Sequence, residues 1–499
     1  MKLSAAFSLL VLVPCLGAAE RTASSTRPNI LYLLADDLGY GDVQCLNPQR
    51  AKIVTPQIDR FARQGMTFTD AHGGSSVCTP TRYGLLTGRY AWRTRLQQGV
   101  LDGGNDEPLI SADRLTLPGF LRQQGYATAC IGKWHLGYVA DAKLGNPKEK
   151  GRVGGGGPPV GARIIGGPTA RGFDYFWGCS NARTMASLVE NDRVVEILPP
   201  IEMLPRLIAR AQDYVAEKAA TAKSGHPFFL YVALTAPHLP LVPSPEWQGK
   251  SPLGPYGDFV MQTDDAVGRI LAALDREGLA QNTLVVVASD NGCAVQVHVD
   301  RLESRGHFAS AQYRGYKADI WEGGHRVPFF VRWPQVVKSA SESAATIGLG
   351  DFMSTMAEVL GVRLPEAASP DGVSFLPALQ GKPMMSPRQA IVLHSAKGEF
   401  AIREGKWKLA LGGGSGGYGQ PGNDEAVRQG LPDAQLYDLE TDPAETTNHV
   451  TTHQEQAARL LQLLQSYVKR GRSTPGAALA NDVPVNLPEP KSIRAPGAP

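Results

Sequence analysis

Cys78 opens the run Cys78-Thr79-Pro80-Thr81-Arg82, placed where a Gly/Ser-rich stretch from His72 to Ser76 gives way to a helical pattern closing at Gly88 and Arg89. Pro80 in the first turn predicts a helix start at the cysteine, and the free N–H groups of such a start favour anionic ligands. A lone cysteine near a helix start is ordinarily a small buried hydrophobe. The C-x-P-x-R setting points instead to a cysteine that is rebuilt rather than used as a thiol, and the rest of the chain strengthens that reading.

Four short apolar runs, each with the composition of a buried parallel strand, end in residues a catalytic site would use. Asn29 to Ala35 is followed at once by Asp36 and Asp37, two adjacent carboxylates that repel unless a cation joins them. Ala127 to Ile131 leads into Gly132-Lys133-Trp134-His135, where an extended segment would turn the cation and the imidazole to one side. Phe228 to Leu234 runs into Thr235-Ala236-Pro237-His238-Leu239-Pro240, with prolines flanking a histidine. Leu284 to Ala288 ends in Ser289-Asp290-Asn291-Gly292, oxygen ligands on a glycine-permitted turn. Each pair alone is an ordinary cap or turn. Because open α/β sheets bind ligands beyond the carboxyl ends of their strands, the four ends together predict one shared crevice.

With these residues in view, the chain resembles the type I, formylglycine-dependent sulfatases of the alkaline phosphatase-like superfamily, bacterial arylsulfatase-like members among them. The resemblance runs from about residue 27 to about residue 450. It includes Gly132-Lys133-Trp134-His135-Leu136-Gly137, Tyr313-Arg314-Gly315-Tyr316-Lys317, Trp321 to Pro328, and the closing segment Gln435 to Pro443. It implies an α/β fold: a large, mixed, mostly parallel sheet sandwiched by helices, with a smaller C-terminal α+β subdomain of antiparallel strands and a helix.

The resemblance also implies roles. Asp36, Asp37, Asp290 and Asn291, with the modified Cys78, would hold one divalent cation, in this family usually calcium. The residue types agree independently, since all are hard oxygen donors. Cys78 would be oxidised to formylglycine (3-oxoalanine) by a separate maturation enzyme that reads its cysteine, proline and arginine. Thr81 stands where serine or alanine is common. One hydroxyl of the hydrated aldehyde would attack sulfur, and deprotonation of the second would release sulfate without water attacking the intermediate. Lys133 and Lys317 would face the sulfate oxygens, Arg82 would support the nucleophile and the carboxylates, His238 would protonate the leaving oxygen, and His135 would act as base. Ser180 matches a serine that assists sulfate binding in some relatives. Asn181, Arg183, His307, His325 and Arg326 lie in segments that flank the sulfate pocket by resemblance and are expected to contact a sugar.

At 499 residues and a net charge of +3, the chain can bury a large core and a smaller one, and shows no basic excess of the kind nucleic acid would require. Met1 to Ala19 reads as a secretory signal, predicting export to the periplasm or medium; it is too short to span a bilayer, and no other stretch is long enough. A catalytic domain is expected over 27–370, a proline-marked boundary at 365–390, a C-terminal subdomain over 385–470, and a disordered tail over 472–499. Gly151 to Pro159 and Gly412 to Gly422 read as glycine-rich loops bordering a substrate. Cys45, Cys130, Cys179 and Cys293 remain once Cys15 and Cys78 are set aside, and their spacing demands no disulfide.

The expected substrate is a sulfated carbohydrate or a small sulfate ester. Two alternatives stay open at this level. A phosphate or phosphonate ester hydrolase of the same superfamily would use much the same charges. A glycan-binding protein on this fold would be expected to have lost some of them.

Overall fold

The computed structural model describes residues 27–103, 105–142, 157–384 and 388–493. The expected signal segment and residues 151–156 of the first glycine-rich run lie outside these.

A ten-stranded sheet forms the centre of the larger part. Five adjacent strands, Thr283–Ser289, Asn29–Ala35, Phe228–Ala233, Ala127–Lys133 and Tyr175–Cys179, run parallel in that spatial order. Antiparallel strands flank both sides of this block, making the sheet mixed. Both faces of the parallel block are buried. Along Asn29–Ala35, Leu31 and Leu33 pack on one face against helices Pro200–Lys223 and Pro255–Arg276, while Ile30, Tyr32 and Leu34 face a second core that includes Leu117, Phe120 and Phe352. That two-sided burial explains why the strands read as near-continuous apolar runs instead of alternating ones.

Register decides where the polar ends fall. Ala35 pairs with Ser289, Leu34 with Ala233, and Ala233 with Gly132, so the chain leaves all four strands at one edge. Gly132 is required there: its φ is +117°, and a Cβ would come within 1.9 Å of the Ala233 carbonyl oxygen.

The smaller part is an antiparallel sheet of Ile391–His394, Phe400–Glu404, Trp407–Ala410 and Gln435–Asp438, covered by helix Gln454–Arg470 through Leu460 and Leu464. A buried ionic network joins it to the larger part. Lys408 reaches Glu322 at 3.1 Å and Glu445 at 2.8 Å, while Arg403 and Arg326 hold Asp70 at 2.7 and 3.0 Å.

The expectation of a disordered tail fails over residues 472–493. Asp482 pairs with Arg89 at 2.9 Å and Asn481 accepts from Arg93 at 2.9 Å, while Val485, Leu487 and Ile493 pack on the smaller core. Composition could not reveal this, because what orders the segment is a pair of cations on a distant loop that need partners.

His394 ends the first strand of the small sheet with its ring edge-on to Phe400, and burial lowers it to about 4. An unfolded histidine titrates near 6.5, so between those values the unfolded chain binds the extra proton and stability drains away as pH falls. This one group should withdraw about 3 kcal/mol between pH 6.5 and 4. Denaturant midpoints measured across that range should fall less steeply for His394→Gln than for the parent; equal slopes would refute the assignment.

Candidate active site

Asp36 and Asp37 emerge directly from strand Asn29–Ala35, and Asp37 adopts a positive φ of 68° that a non-glycine residue takes only when its surroundings demand it. Asp290 and Asn291 leave strand Thr283–Ser289 beside them, with the Asp37 N–H donating to Asp290 Oδ1 at 3.1 Å. Helix Cys78–Thr87 presents Cys78 from its first turn, its Sγ 3.9 Å from Asp37 Oδ1. The loop before Cys78 is anchored from the small sheet: the Ser76 N–H and the Ser75 hydroxyl both donate to the His394 carbonyl at 2.9 Å.

Three cations meet these carboxylates. Arg82, wholly buried, donates to Asp290 Oδ2 from Nε at 3.0 Å and Nη2 at 2.7 Å, and Nη2 lies 3.2 Å from Asp36 Oδ1. Lys133 Nζ bonds both Asp36 oxygens, at 2.9 and 2.7 Å. Lys317 Nζ lies 2.7 Å from each oxygen of Asp37. Burial pushes the Asp36 carboxyl up, but Lys133, His238, Arg82 and Lys317 outweigh it and hold it well below the usual carboxylate range. Burial likewise pushes Asp290 up to about 6 against the opposing charge of Arg82.

Burial raises the Cys78 thiol to about 12 despite Lys133 and Lys317. A thiol so held is not a thiolate at neutral pH and is a poor nucleophile.

The two histidines differ in a useful way. His135 Nε2 donates to the Leu101 carbonyl at 2.9 Å, which leaves Nδ1 as the unprotonated nitrogen; that atom is buried without a partner. Burial, with Lys133 and Arg82 adding to it, holds His135 well below its ordinary value. His238 bonds the Leu239 carbonyl through Nδ1 and places Nε2 3.5 Å from Asp37 Oδ2. Burial lowers it to about 4, with Asp37 resisting.

Asp36, Asp37, Cys78 and His238 bring ligand atoms within 4.8 Å of one another. Asn291 Nδ2 donates to Asp37 Oδ1 at 2.7 Å, and its own Oδ1 is buried with no hydrogen-bond partner. An orphaned oxygen beside three carboxylates fits a hard divalent cation such as calcium.

A cleft of about 310 Å³ opens above these groups, lined by Cys78, Lys133, His135, His238 and Lys317 at its charged wall. Residues 134–137 are not extended, since His135 has a φ of 56° and Gly137 of 82°, yet Lys133 and His135 still reach the same cleft. Asn181 and Arg183 line it too. Asn181 is buried and mainly holds the loop, donating to the Asp102 carbonyl at 2.6 Å, whereas Arg183 is exposed and pairs with Asp102 at 2.8 Å.

Three expected sugar contacts are not in the cleft. His307 is fully buried between Asp42, at 2.8 Å, and the Lys52 N–H. His325 is fully buried against His72 at 3.0 Å and Lys408 at 3.0 Å, and Arg326 pairs with Asp70 and Glu322. They satisfy internal polar networks, which sequence spacing does not distinguish from a substrate wall. His72, Glu322 and His325 also converge closely enough for a metal, but Lys408, Arg403 and Arg326 already balance Glu322, Glu445 and Asp70 there. Ser180 is buried and serves the site through its carbonyl, which accepts from the His135 N–H at 2.7 Å. Sequence reasoning missed Leu101, Gln296 and Tyr418 on the cleft wall. Only Tyr418 carried a signal, as the lone aromatic in the glycine-rich run 412–422.

Comparison with known proteins agrees with this geometry. The sulfatase family profile matches residues 28–362. The chain belongs to the sulfatase family. It is 34% identical to the N-acetylgalactosamine-6-O-sulfatase of Bacteroides thetaiotaomicron, over 90% of this chain and 94% of that one. It is 32% identical to arylsulfatase A of Bos taurus, over 90% and 89%. A solved Bacteroides thetaiotaomicron sulfatase, described in connection with metabolism of multiple glycosaminoglycans, superimposes with a TM-score of 0.76 at 31% identity, covering 88% of this chain and 99% of that one. This sulfatase is therefore a sulfuric ester hydrolase with the alkaline phosphatase-like fold, and formylglycine and calcium are typical of its family. Among the described residues no helix is long and apolar enough to cross a membrane.

Proposed function

We propose that this sulfatase is exported and releases inorganic sulfate from a sulfated carbohydrate, with formylglycine made from Cys78 by a maturation enzyme and one calcium ion held by Asp36, Asp37, Asp290 and Asn291. The observation that carries the reading is the convergence of Cys78, Lys133, His135, His238 and Lys317 on one cleft wall above those four oxygen ligands. Together the two groups would supply a hydrated-aldehyde hydroxyl, polarised by the cation, as a nucleophile toward sulfur.

The protein's own residues account for the rest. Lys133 and Lys317 present fixed ammonium groups toward the sulfate oxygens, whose charge redistributes in the transition state. Arg82 holds Asp36 and Asp290 in place from behind. His135 accepts a proton at Nδ1, the atom its bond to Leu101 leaves free. His238, with Nδ1 held by the Leu239 carbonyl, would give one to the leaving oxygen from Nε2; burial keeps the free imidazole neutral at pH 7, so that proton has to be taken up as the anionic sulfate ester enters beside it.

The test is peptide mass spectrometry across Cys78 on protein from a host with the maturation machinery, paired with sulfate release from a panel of sulfated sugars and an aryl sulfate. Formylglycine at Cys78 with chelator-sensitive release from at least one sugar is the expected result. Converted protein that releases no sulfate from any sugar would overturn the carbohydrate reading; release of phosphate from esters instead would move the assignment to a phosphoryl substrate.

A further inference from the structure

Tyr418 is the only aromatic residue among those described that is exposed, at 56%, and it lies on the wall of the catalytic cleft. An aromatic face left in water forgoes the stabilisation that burial would provide, so an exposed ring at a cleft mouth is a surface awaiting a cover. Its backbone is held firmly. Asp319 Oδ1 accepts from the Tyr418 N–H at 2.9 Å and the Gly419 N–H at 2.8 Å, and Asp319 Oδ2 accepts from the Tyr316 N–H at 3.0 Å.

The glycines on either side make this docking possible. A Cβ on Gly417 would stand 2.4 Å from the Ala318 carbonyl, and one on Gly419 would stand 2.6 Å from Asp319 Oδ2. Tyr418 is thus pinned to the segment that carries Lys317, two residues from Asp319. The backbone that carries the ring keeps a set relation to that ammonium group, so only the ring's own rotamer is left to order when a ligand arrives.

We propose that Tyr418 is a specificity-determining residue: the apolar C–H face of the sulfated sugar ring packs on its phenol ring while the sulfate lies against Lys133 and Lys317. Gln296 and Arg183, also on the cleft wall, offer an amide and a guanidinium to the hydroxyl or amide edges of the same ring. A pyranose has both kinds of surface, and the cleft offers both kinds of wall. The inference rests on the carbohydrate reading above.

Tyr418→Ala and Tyr418→Phe test it, each with conversion of Cys78 verified by mass spectrometry. Tyr418 is exposed, so neither change threatens the fold. For a sulfated monosaccharide turned over by the parent, Tyr418→Ala should raise KM about tenfold with kcat little changed, the pattern of lost substrate binding. Tyr418→Phe should restore most of that loss. The inhibition constant for free sulfate, which occupies only the anion site, should stay within about twofold of the parent in both variants. An unchanged sugar KM in Tyr418→Ala would overturn the proposal. So would a parallel rise in the sulfate constant, which would make the loop a support for the anion site and not a sugar platform. If the converted parent cleaves an aryl sulfate but no sulfated sugar, the carbohydrate reading itself has failed and this inference falls with it.

Discussion

Cys78→Ser should fold like the parent yet lose at least about a thousandfold in steady-state sulfate release. The side chain is buried with only 1% exposed, and serine is close enough in size to leave the packing intact. A serine hydroxyl beside Asp37 and Lys317 can be esterified by sulfate once. It carries no second hydroxyl whose deprotonation would expel that sulfate. Intact-mass measurement after incubation with substrate should show at most one sulfate added per chain, without continued release. Sustained turnover by Cys78→Ser at a rate near the parent's would refute the two-hydroxyl account of Cys78.

Arg82→Ala should be among the most destabilising single changes in the molecule. The guanidinium has no exposed surface and satisfies Asp290 and Asp36, and Nη1 also donates to the Lys133 carbonyl at 3.1 Å. Truncation leaves buried carboxylates short of one positive charge, a loss of about 3–5 kcal/mol. Arg82→Lys keeps the charge but not the fork that lets Nε and Nη2 meet one oxygen, so it should fall between the two. Activity is the wrong readout, because Arg82 also belongs to the pentapeptide that the maturation enzyme is expected to read. Denaturant midpoints of parent and variants, all produced with Cys78 unconverted, isolate the structural term. Added calcium should raise the midpoint of parent and variants alike, by binding the carboxylates only when they are folded together. An Arg82→Ala midpoint equal to the parent's would show that Asp290 and Asp36 do not depend on it.

The parallel strands were legible because burial on both faces leaves a run of apolar residues with few alternatives, and because each run stops at charged residues that cannot continue it. The metal-like quartet was legible for the same reason: Asp36, Asp37, Asp290 and Asn291 each follow directly on such a run. His307, His325 and Arg326 misled because polar residues near a motif look alike in sequence whether they face a substrate or an internal partner. Asp42, Lys408 and Asp70, which claim them, come from separate segments. The tail misled in the opposite sense: a proline- and alanine-rich stretch has little to bury, yet Asp482 and Asn481 tie it down.

By itself, then, the sequence determined the chemistry available to this sulfatase: a cysteine in a C-x-P-x-R setting, oxygen ligands and cations at strand ends, and the sheet that carries them. Those depend on local patterning and on the rule that ligands gather at the carboxyl edge of a parallel sheet. Tertiary structure alone decided which nitrogen of His135 is free, which cation meets which carboxylate, and that Tyr418, far along the chain, joins the cleft wall. Such facts turn on contacts a few ångströms long between residues tens to hundreds of positions apart, and neither composition nor periodicity carries information at that range.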